Sequence, residues 1–204
     1  MSISLQTRKR LPQDESRAAA VAAARDLLTS EGVAAVTLKA VAARIGRTHA
    51  NLLHHFGSVA GLHRALAADI AVSVAGSITG SIGRMRRGEA RLRDVIEEMF
   101  DAFIDQGAGE LIAWVGLTRQ REALEPIVEA IGQVIRDISD PGEQRPLDQA
   151  TLGLVLLAIG DSLAGSEVAR ACGLPRSAAR DIAVRQVIAV LSGMIKADRA
   201  ISDT

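Results

Sequence analysis

The sequence predicts an all-α protein, and three observations support this prediction. Apolar residues make up 48% of the 204 residues, whereas aromatic residues make up only 2% and tyrosine is absent. The core must therefore consist mainly of alanine, leucine, isoleucine and valine, and a chain rich in alanine and leucine favours helices. Apolar residues recur at helical spacing in about nine segments, and no alternating pattern indicates a strand.

The first two predicted helices open the chain. The first runs from Asp14 to about Ser30, with Gly32 just past its end as a left-handed cap. The second follows Thr37, whose hydroxyl can accept from the free amides of the first helical turn. Its apolar residues fall at i, i+3, i+4 and i+7, the spacing of one buried face. These residues are Leu38, Val41, Ala42 and Ile45.

A third helix follows closely. Gly46 permits a tight turn, and Thr48 can cap the helix after it. Two short helices joined by a glycine-containing turn, the second with a polar outward face, indicate a DNA-binding helix-turn-helix. The predicted inward residues are Leu52, His55 and Phe56, and the predicted outward residues are His49, Ala50, Asn51, Leu53 and His54.

The stretch from Thr37 to Leu62 also has a recognisable order of residues. That order is carried by Thr37, Val41, Ala42, Gly46, Thr48, Leu52, His55, Phe56, Ser58 and Leu62. In identity and spacing these residues resemble the helix-turn-helix of the TetR family of one-component transcriptional regulators. The departures are Arg47 for a small apolar residue, Ala50, Asn51 and Leu53 for the usual Gly-Thr and Tyr, and Val59 and Ala60 for a Lys-Glu pair.

The resemblance implies a homodimeric regulator, a repressor, that reads a near-palindromic operator in double-stranded DNA and is released by a small apolar or amphipathic effector. It implies a DNA-binding domain at 1–57 and a helical-bundle domain for effector binding and dimerisation at 58–204. It also puts phosphate contacts at Thr37, Lys39, Thr48 and His55. From its chemistry, Asn51 can pair with adenine in the major groove. The complete set of predicted DNA-binding residues is Thr37, Lys39, Arg47, Thr48, His49, Asn51, Leu53, His54 and His55.

Charge is distributed unevenly along the chain. Residues 1–57 contain eight lysines and arginines against four acids, while the remainder contains sixteen against twenty. A basic N-terminal part suggests that this part meets phosphate. The arm at 1–13, with Arg8, Lys9 and Arg10, is either a further phosphate contact or a solvated tail.

The rest of the chain predicts six more helices. Ser58 can cap a fourth helix that continues to roughly Ser81, followed by a charged connector at 84–88. Helical spacing then appears at 92–103, 110–121, 126–139, 152–163 and 184–195. We predict a loop at 140–146, and the Cys172–Pro175 stretch ends the eighth helix with glycine and proline.

Two of the later helices carry apolar stripes that favour a dimer interface. Small residues, among them Gly153, Gly160 and Ala164, lie beside the first stripe and would let a neighbouring helix approach closely. Packing within one chain is the alternative. The predicted interface residues are Leu152, Leu156, Ile159, Gly160, Leu163, Val184, Val187, Ile188, Leu191 and Ile195.

The few aromatic residues are concentrated around Trp114, the only tryptophan. This cluster is either an effector pocket or part of the core, since both are apolar. The predicted pocket residues are Met99, Phe100, Phe103, Trp114 and Leu117.

Other functional readings are less well supported. Residues 160–163 spell the GDSL string of a hydrolase family, but Ser162 lies mid-helix and no histidine follows it. His49, His54 and His55 lack a nearby cysteine or carboxylate for a metal site. We therefore expect no enzymatic activity, metal or cofactor; a helical ligand-binding or structural dimer without operator binding is the alternative function.

Location is predicted from what the sequence lacks. Cys172 is the only cysteine, which fits a reducing compartment. We find no signal peptide and no apolar run that approaches the roughly 20 residues of a membrane span. These features predict a cytoplasmic protein.

Overall fold

The computed structural model describes residues 13–138 and 144–202, and in these ranges it contains nine α-helices and no strand. The helices are α1 (Gln13–Glu31), α2 (Leu38–Arg44), α3 (His49–Phe56), α4 (Val59–Arg86), α5 (Leu92–Asp105), α6 (Ala108–Leu117), α7 (Glu125–Ile138), α8 (Gln144–Ala171) and α9 (Ala178–Ser202). Short 3₁₀ turns lie at Val33–Ala35 and Arg121–Leu124. The predicted all-α fold is confirmed, while the predicted arm at 1–13 lies almost wholly outside the described residues.

The caps of three helices form as the sequence predicts. The Thr37 hydroxyl accepts from the amide of Ala40 at 3.1 Å. The Thr48 hydroxyl accepts from the amide of Asn51 at 3.2 Å, and the Ser58 hydroxyl accepts from Gly61 at 3.0 Å. Each cap satisfies one of the amides that the first helical turn leaves unpaired, so the starts of α2, α3 and α4 are fixed locally.

Helix α4 is longer than predicted, because it continues past Ser81 to Arg86. Its glycine-containing second half is attached to α5 through the carboxylate of Glu98. This carboxylate accepts from the Ser77 hydroxyl at 2.6 Å and from the buried Ser81 hydroxyl, and it pairs with Arg84 at 3.1 Å. The predicted connector at 84–88 is therefore mostly helix.

Two other boundaries differ from the prediction. Helix α6 begins at Ala108 and ends at Leu117, and the backbone leaves the helix through Arg119, which has a φ of 59°. Helix α8 begins at Gln144, so the end of the predicted loop belongs to its first turn. Pro146 is tolerated there because amides of the first turn have no helical acceptor; positions 140–143 of the predicted loop lie outside the described residues.

One apolar cluster extends from α1 to α9, and α4 runs through it. The first half of α4 contacts α1 and α3, and fully buried Leu62 and Leu66 lie on this half. Helix α4 also packs against α5 and α7. The division into domains at 57 and 58 remains a prediction.

We expected no segment to approach the length of a membrane span, and two helices contradict this expectation. By length and composition alone, α4 and the Asp148–Ala171 part of α8 are long and apolar enough to cross a membrane. Core helices of soluble proteins meet the same criterion, and α4 has helical neighbours on several sides.

Candidate nucleic-acid interface and internal cavity

The outward face of α3 lies open to solvent. Leu52 and Phe56 are buried, whereas His49, Ala50 and His54 are exposed. Leu53 is 44% exposed despite its apolar side chain. Around this face lie the predicted contact residues Thr37, Lys39 and Thr48, all exposed, and Arg47, which is half-buried.

Two predicted contact residues are placed differently. Asn51 was predicted to face outward, but it is half-buried and its side-chain oxygen lies out of contact with solvent without a hydrogen-bond partner. The cause is helical geometry, because Asn51 adjoins buried Leu52 on the boundary of the inward face. His55, predicted inward, is also half-buried.

Helix α1 holds the other two helices in place. The Arg17 guanidinium donates to the carbonyl of His55 at 2.9 Å and lies 4.8 Å from the centre of the Phe56 ring. Arg44 pairs with Glu31 at 2.7 Å, which links α2 to α1. The role of Arg17 was missed in the sequence, since its partners lie 38 residues or more along the chain.

The turn before α2 is held from α4 and α6. His63 on α4 is 3% exposed; its Nε2 lies 3.0 Å from the Val36 carbonyl and its Nδ1 lies 3.2 Å from the Gln120 side chain. Because a carbonyl only accepts, Nε2 carries the proton that is donated to Val36. On α6, the Glu110 carboxylate accepts from the Val33 amide at 2.8 Å. We call His63, Glu110 and Gln120 the bridge.

An internal cavity of about 380 Å³ lies among α4 to α9. Of its 25 lining residues, only Thr151 and Arg86 have polar side chains. Helix α6 contributes Ala108 and Ile112 to the wall, so the helix that joins the bridge also lines the cavity.

Comparison with known proteins identifies the N-terminal region. Residues 20–66, which span most of α1 through the start of α4, match the family model of bacterial regulatory proteins of the tetR family. Residues 20–66 are therefore similar to the N-terminal domain of the TetR family. The predicted resemblance is confirmed, and the protein carries the DNA-binding domain of a transcriptional regulator.

The TetR-like fold extends beyond this domain. A protein from Mesorhizobium loti MAFF303099, assigned to the TetR family of transcriptional regulators, superposes with a TM-score of 0.55 over 90% of this chain and 98% of its own. The two share 14% sequence identity, so the likeness concerns the fold alone. No curated protein matches the chain.

The cavity lies beside α5 rather than around Trp114. Of the residues predicted to form an effector pocket, Met99 and Phe103 line this cavity. Phe100 points into the core with no exposure, and Leu117 is 83% exposed. Trp114 packs against the core and is not part of the cavity wall. The residues of the predicted cluster therefore lie on two different faces of α5 and, on α6, away from the cavity wall.

The residues of the predicted dimer interface differ in their exposure to solvent. On α8, Leu152, Leu156 and Leu163 are between 50% and 60% exposed. Gly160 is exposed and Ile159 is half-buried. On α9, Ile188 is 50% exposed, Leu191 is half-buried, and Val184 and Val187 are buried within the chain. The side chain of Ile195 lies outside the described part.

The GDSL string does not form a hydrolase site in this fold. The Ser162 hydroxyl donates to the carbonyl of Ile159 at 2.8 Å, within the same helix. Asp161 is 4% exposed and pairs with Arg176 from the α8–α9 loop. Across the described side chains, no group of three or more metal-ligating residues comes together, including the three histidines of α3.

Proposed function

We propose that the protein is a homodimeric repressor that binds a near-palindromic operator and is released when a small molecule occupies the cavity. The observation that carries this proposal is the exposed face of α3, bounded by capped helix starts and by Lys39 and Arg47. With eight residues, α3 is about 12 Å long, which suits a major groove about 12 Å wide.

The side chains on this face have distinct roles in the proposed complex. Thr37, Lys39 and Thr48 contact phosphates, which position the protein but carry no sequence information. His49 and His54 reach base edges, and Leu53 contacts a thymine methyl group. Asn51 takes a smaller part than its chemistry suggests, because its side-chain oxygen is already buried against the domain.

The exposed apolar stripe of α8 and α9 supports the dimer. Leu152, Leu156 and Leu163 fall on one side of α8, and an equivalent helix of a second copy would remove them from water. Apart from the backbone of its own helix, no atom of the described residues lies within 4 Å of where a Cβ of Gly160 would be, so another helix can approach there. A two-fold dimer would put two recognition helices roughly 34–36 Å apart.

The bridge gives the cavity a route to α2. A ligand that displaces Ala108 and Ile112 shifts α6, and α6 contacts the turn before α2 through Glu110. Since binding free energies are reciprocal, the ligand weakens operator binding as much as the operator weakens ligand binding, by about 1–3 kcal/mol. A DNA-bound regulator of this kind acts in the cytoplasm.

A gel-shift titration tests operator binding. The probe is the DNA upstream of the protein's own gene and of its neighbours. We expect a shift that weakens with salt, and Lys39→Ala should lower the affinity and reduce the salt slope by about one. Arg136→Ala, an exposed arginine on α7, is the matched control and should change neither.

A folded dimer that shifts none of these probes at low salt would contradict the repressor. The second candidate, a ligand-binding or structural dimer without operator binding, would then be favoured. Leu53 and Val59 support this candidate, because both are exposed apolar residues on the face that would meet DNA, at 44% and 38%.

A further inference from the structure

The cavity wall indicates which chemical class of ligand it accepts. Twenty-three of its 25 lining residues have apolar side chains, and Phe103 is the single aromatic one. Planar ligands are usually held by stacking against several aromatic rings, and this wall offers mainly branched aliphatic groups. We propose that the ligand is an uncharged, largely aliphatic molecule with one hydrogen-bonding group placed at Thr151.

The volume sets the size of the ligand. The cavity of about 380 Å³ lies at the small end of the usual range for ligand pockets. It holds roughly a dozen times the ~30 Å³ that one water molecule occupies in the liquid. A ten-carbon chain with one polar group therefore matches the cavity in size.

The charges on the wall exclude cations. None of the 25 lining residues is acidic, so a buried ammonium group would have no counter-charge, and burying an unpaired charge is strongly unfavourable. The only charged lining residue is Arg86, which is exposed, lies in the last turn of α4 and has an interaction of its own. A carboxylate would have to leave water and compete for that arginine, whereas a hydroxyl needs only Thr151.

Thr151 is the polar group suited to a neutral ligand. It is half-buried on α8, between the lining residues Ala150 and Leu154. Its hydroxyl can both donate and accept, so it can bind an alcohol, ketone or ester oxygen equally well. The aliphatic remainder of the wall then selects for chain length.

Calorimetric titration of the full-length protein with three probes that each carry a ten-carbon chain tests the class. The probes are 1-decanol, decanoate and decyltrimethylammonium, which share a chain and differ in charge. We expect 1-decanol to bind most tightly and decyltrimethylammonium about a hundredfold or more weaker. In addition, 1-octanol should bind about fifteenfold more weakly than 1-decanol, since each buried methylene contributes about fourfold.

Variants locate the binding in the cavity. Ala130→Leu on α7 fills part of the volume and should weaken 1-decanol binding about tenfold or more. Ala22→Leu, at an exposed position of α1, is the control and should leave binding unchanged. Thr151→Val keeps the shape but removes the hydroxyl, and should weaken 1-decanol about five- to tenfold. If Ala130→Leu does not fold, Ala75→Leu on the α4 wall replaces it.

Tighter binding of either charged probe would overturn the proposal, as would 1-decanol binding that Ala130→Leu leaves intact. The inference that this ligand controls operator binding rests on the proposed function, whereas the measurement of ligand binding does not. If 1-decanol binds in the cavity and leaves the gel shift unchanged, the proposed release mechanism fails and the ligand class stands.

Discussion

The two halves of α4 differ in how they are held. The first half, to Ala71, buries six side chains, among them Leu62, Leu66 and Ile70, whereas the second half buries only Ser81. The first half is bonded to α1 through Asp69 and to the turn before α2 through His63, whereas the second half supplies most of the cavity lining from α4 and is attached to α5 through Glu98. One continuous helix thus joins a well-buried half to a half with few buried side chains, and the proposed release mechanism would use this difference.

Truncating an apolar side chain in each half should give the largest contrast. Leu66→Ala removes a side chain with no exposure and should lower the free energy of unfolding by about 3 kcal/mol or more, because it leaves a cavity. Val72→Ala, one and a half turns later and 74% exposed, should change it by less than about 0.5 kcal/mol. Urea denaturation at one fixed protein concentration measures both.

Equal effects of these two truncations would mean that the second half is as tightly packed as the first, for example because a partner subunit covers Val72. Holding the protein concentration fixed is necessary, since dimerisation itself contributes to the measured stability.

The bridge should give the next largest effect. His63→Leu leaves the buried Val36 carbonyl without its donor, which should cost about 1–3 kcal/mol of unfolding free energy. It should also weaken operator binding, since the turn before α2 then loses one of the two side-chain hydrogen bonds that it receives from α4 and α6. The adjacent Arg64→Leu is the control, because Arg64 forms an exposed ion pair with Glu125 and such pairs contribute little.

Thermal melting and the gel shift, measured on the same His63→Leu sample, separate the two consequences. Lowered stability with unchanged operator affinity would mean that His63 stabilises the core without positioning α2.

The part of the fold that follows from nearby residues was predicted accurately. A cap involves residues within three positions, so Thr37, Thr48 and Ser58 could be recognised from the sequence alone. The inward residues Leu52 and Phe56 likewise follow from helical spacing. Asn51 shows the limit of this reasoning. The exposure of a residue on the boundary of a helical face depends on neighbouring helices, which helical spacing does not identify.

Features made by distant residues could not be predicted. The partners of His63 lie 27 and 57 residues away, and nothing in its own helix distinguishes it from an ordinary core histidine. Helix α4 was predicted to end near Ser81 because a run of charged residues follows, whereas the bonds from Glu98 that hold its last turns come from another helix. The apolar stripe of α9 was identified, but periodicity does not show whether the same chain or a second copy covers Val187.

The attachment of the second half of α4 should depend on pH. Hydrogen bonds from Ser77 and Ser81 lower the pKa of Glu98, and the charges of Arg84 add to this effect. A carboxylate whose pKa is lower in the folded state contributes stability above its unfolded pKa and loses it as pH falls. We therefore expect Glu98→Gln to lower the free energy of unfolding at neutral pH by about 1 kcal/mol or less, because Glu98 is partly exposed.

The difference between the parent protein and Glu98→Gln should shrink as pH falls below about 4.3, the ordinary pKa of a glutamate, because Glu98 then takes up its proton. Urea denaturation at a series of pH values measures it, with Glu129→Gln on the exposed face of α7 as the control that should show no such convergence. A difference that stays constant with pH would indicate that glutamine destabilises the protein because its amide does not fit the site, and not because the negative charge is lost. In that case the second half of α4 would be held by packing, and the contrast between its halves would be smaller than the buried residues suggest.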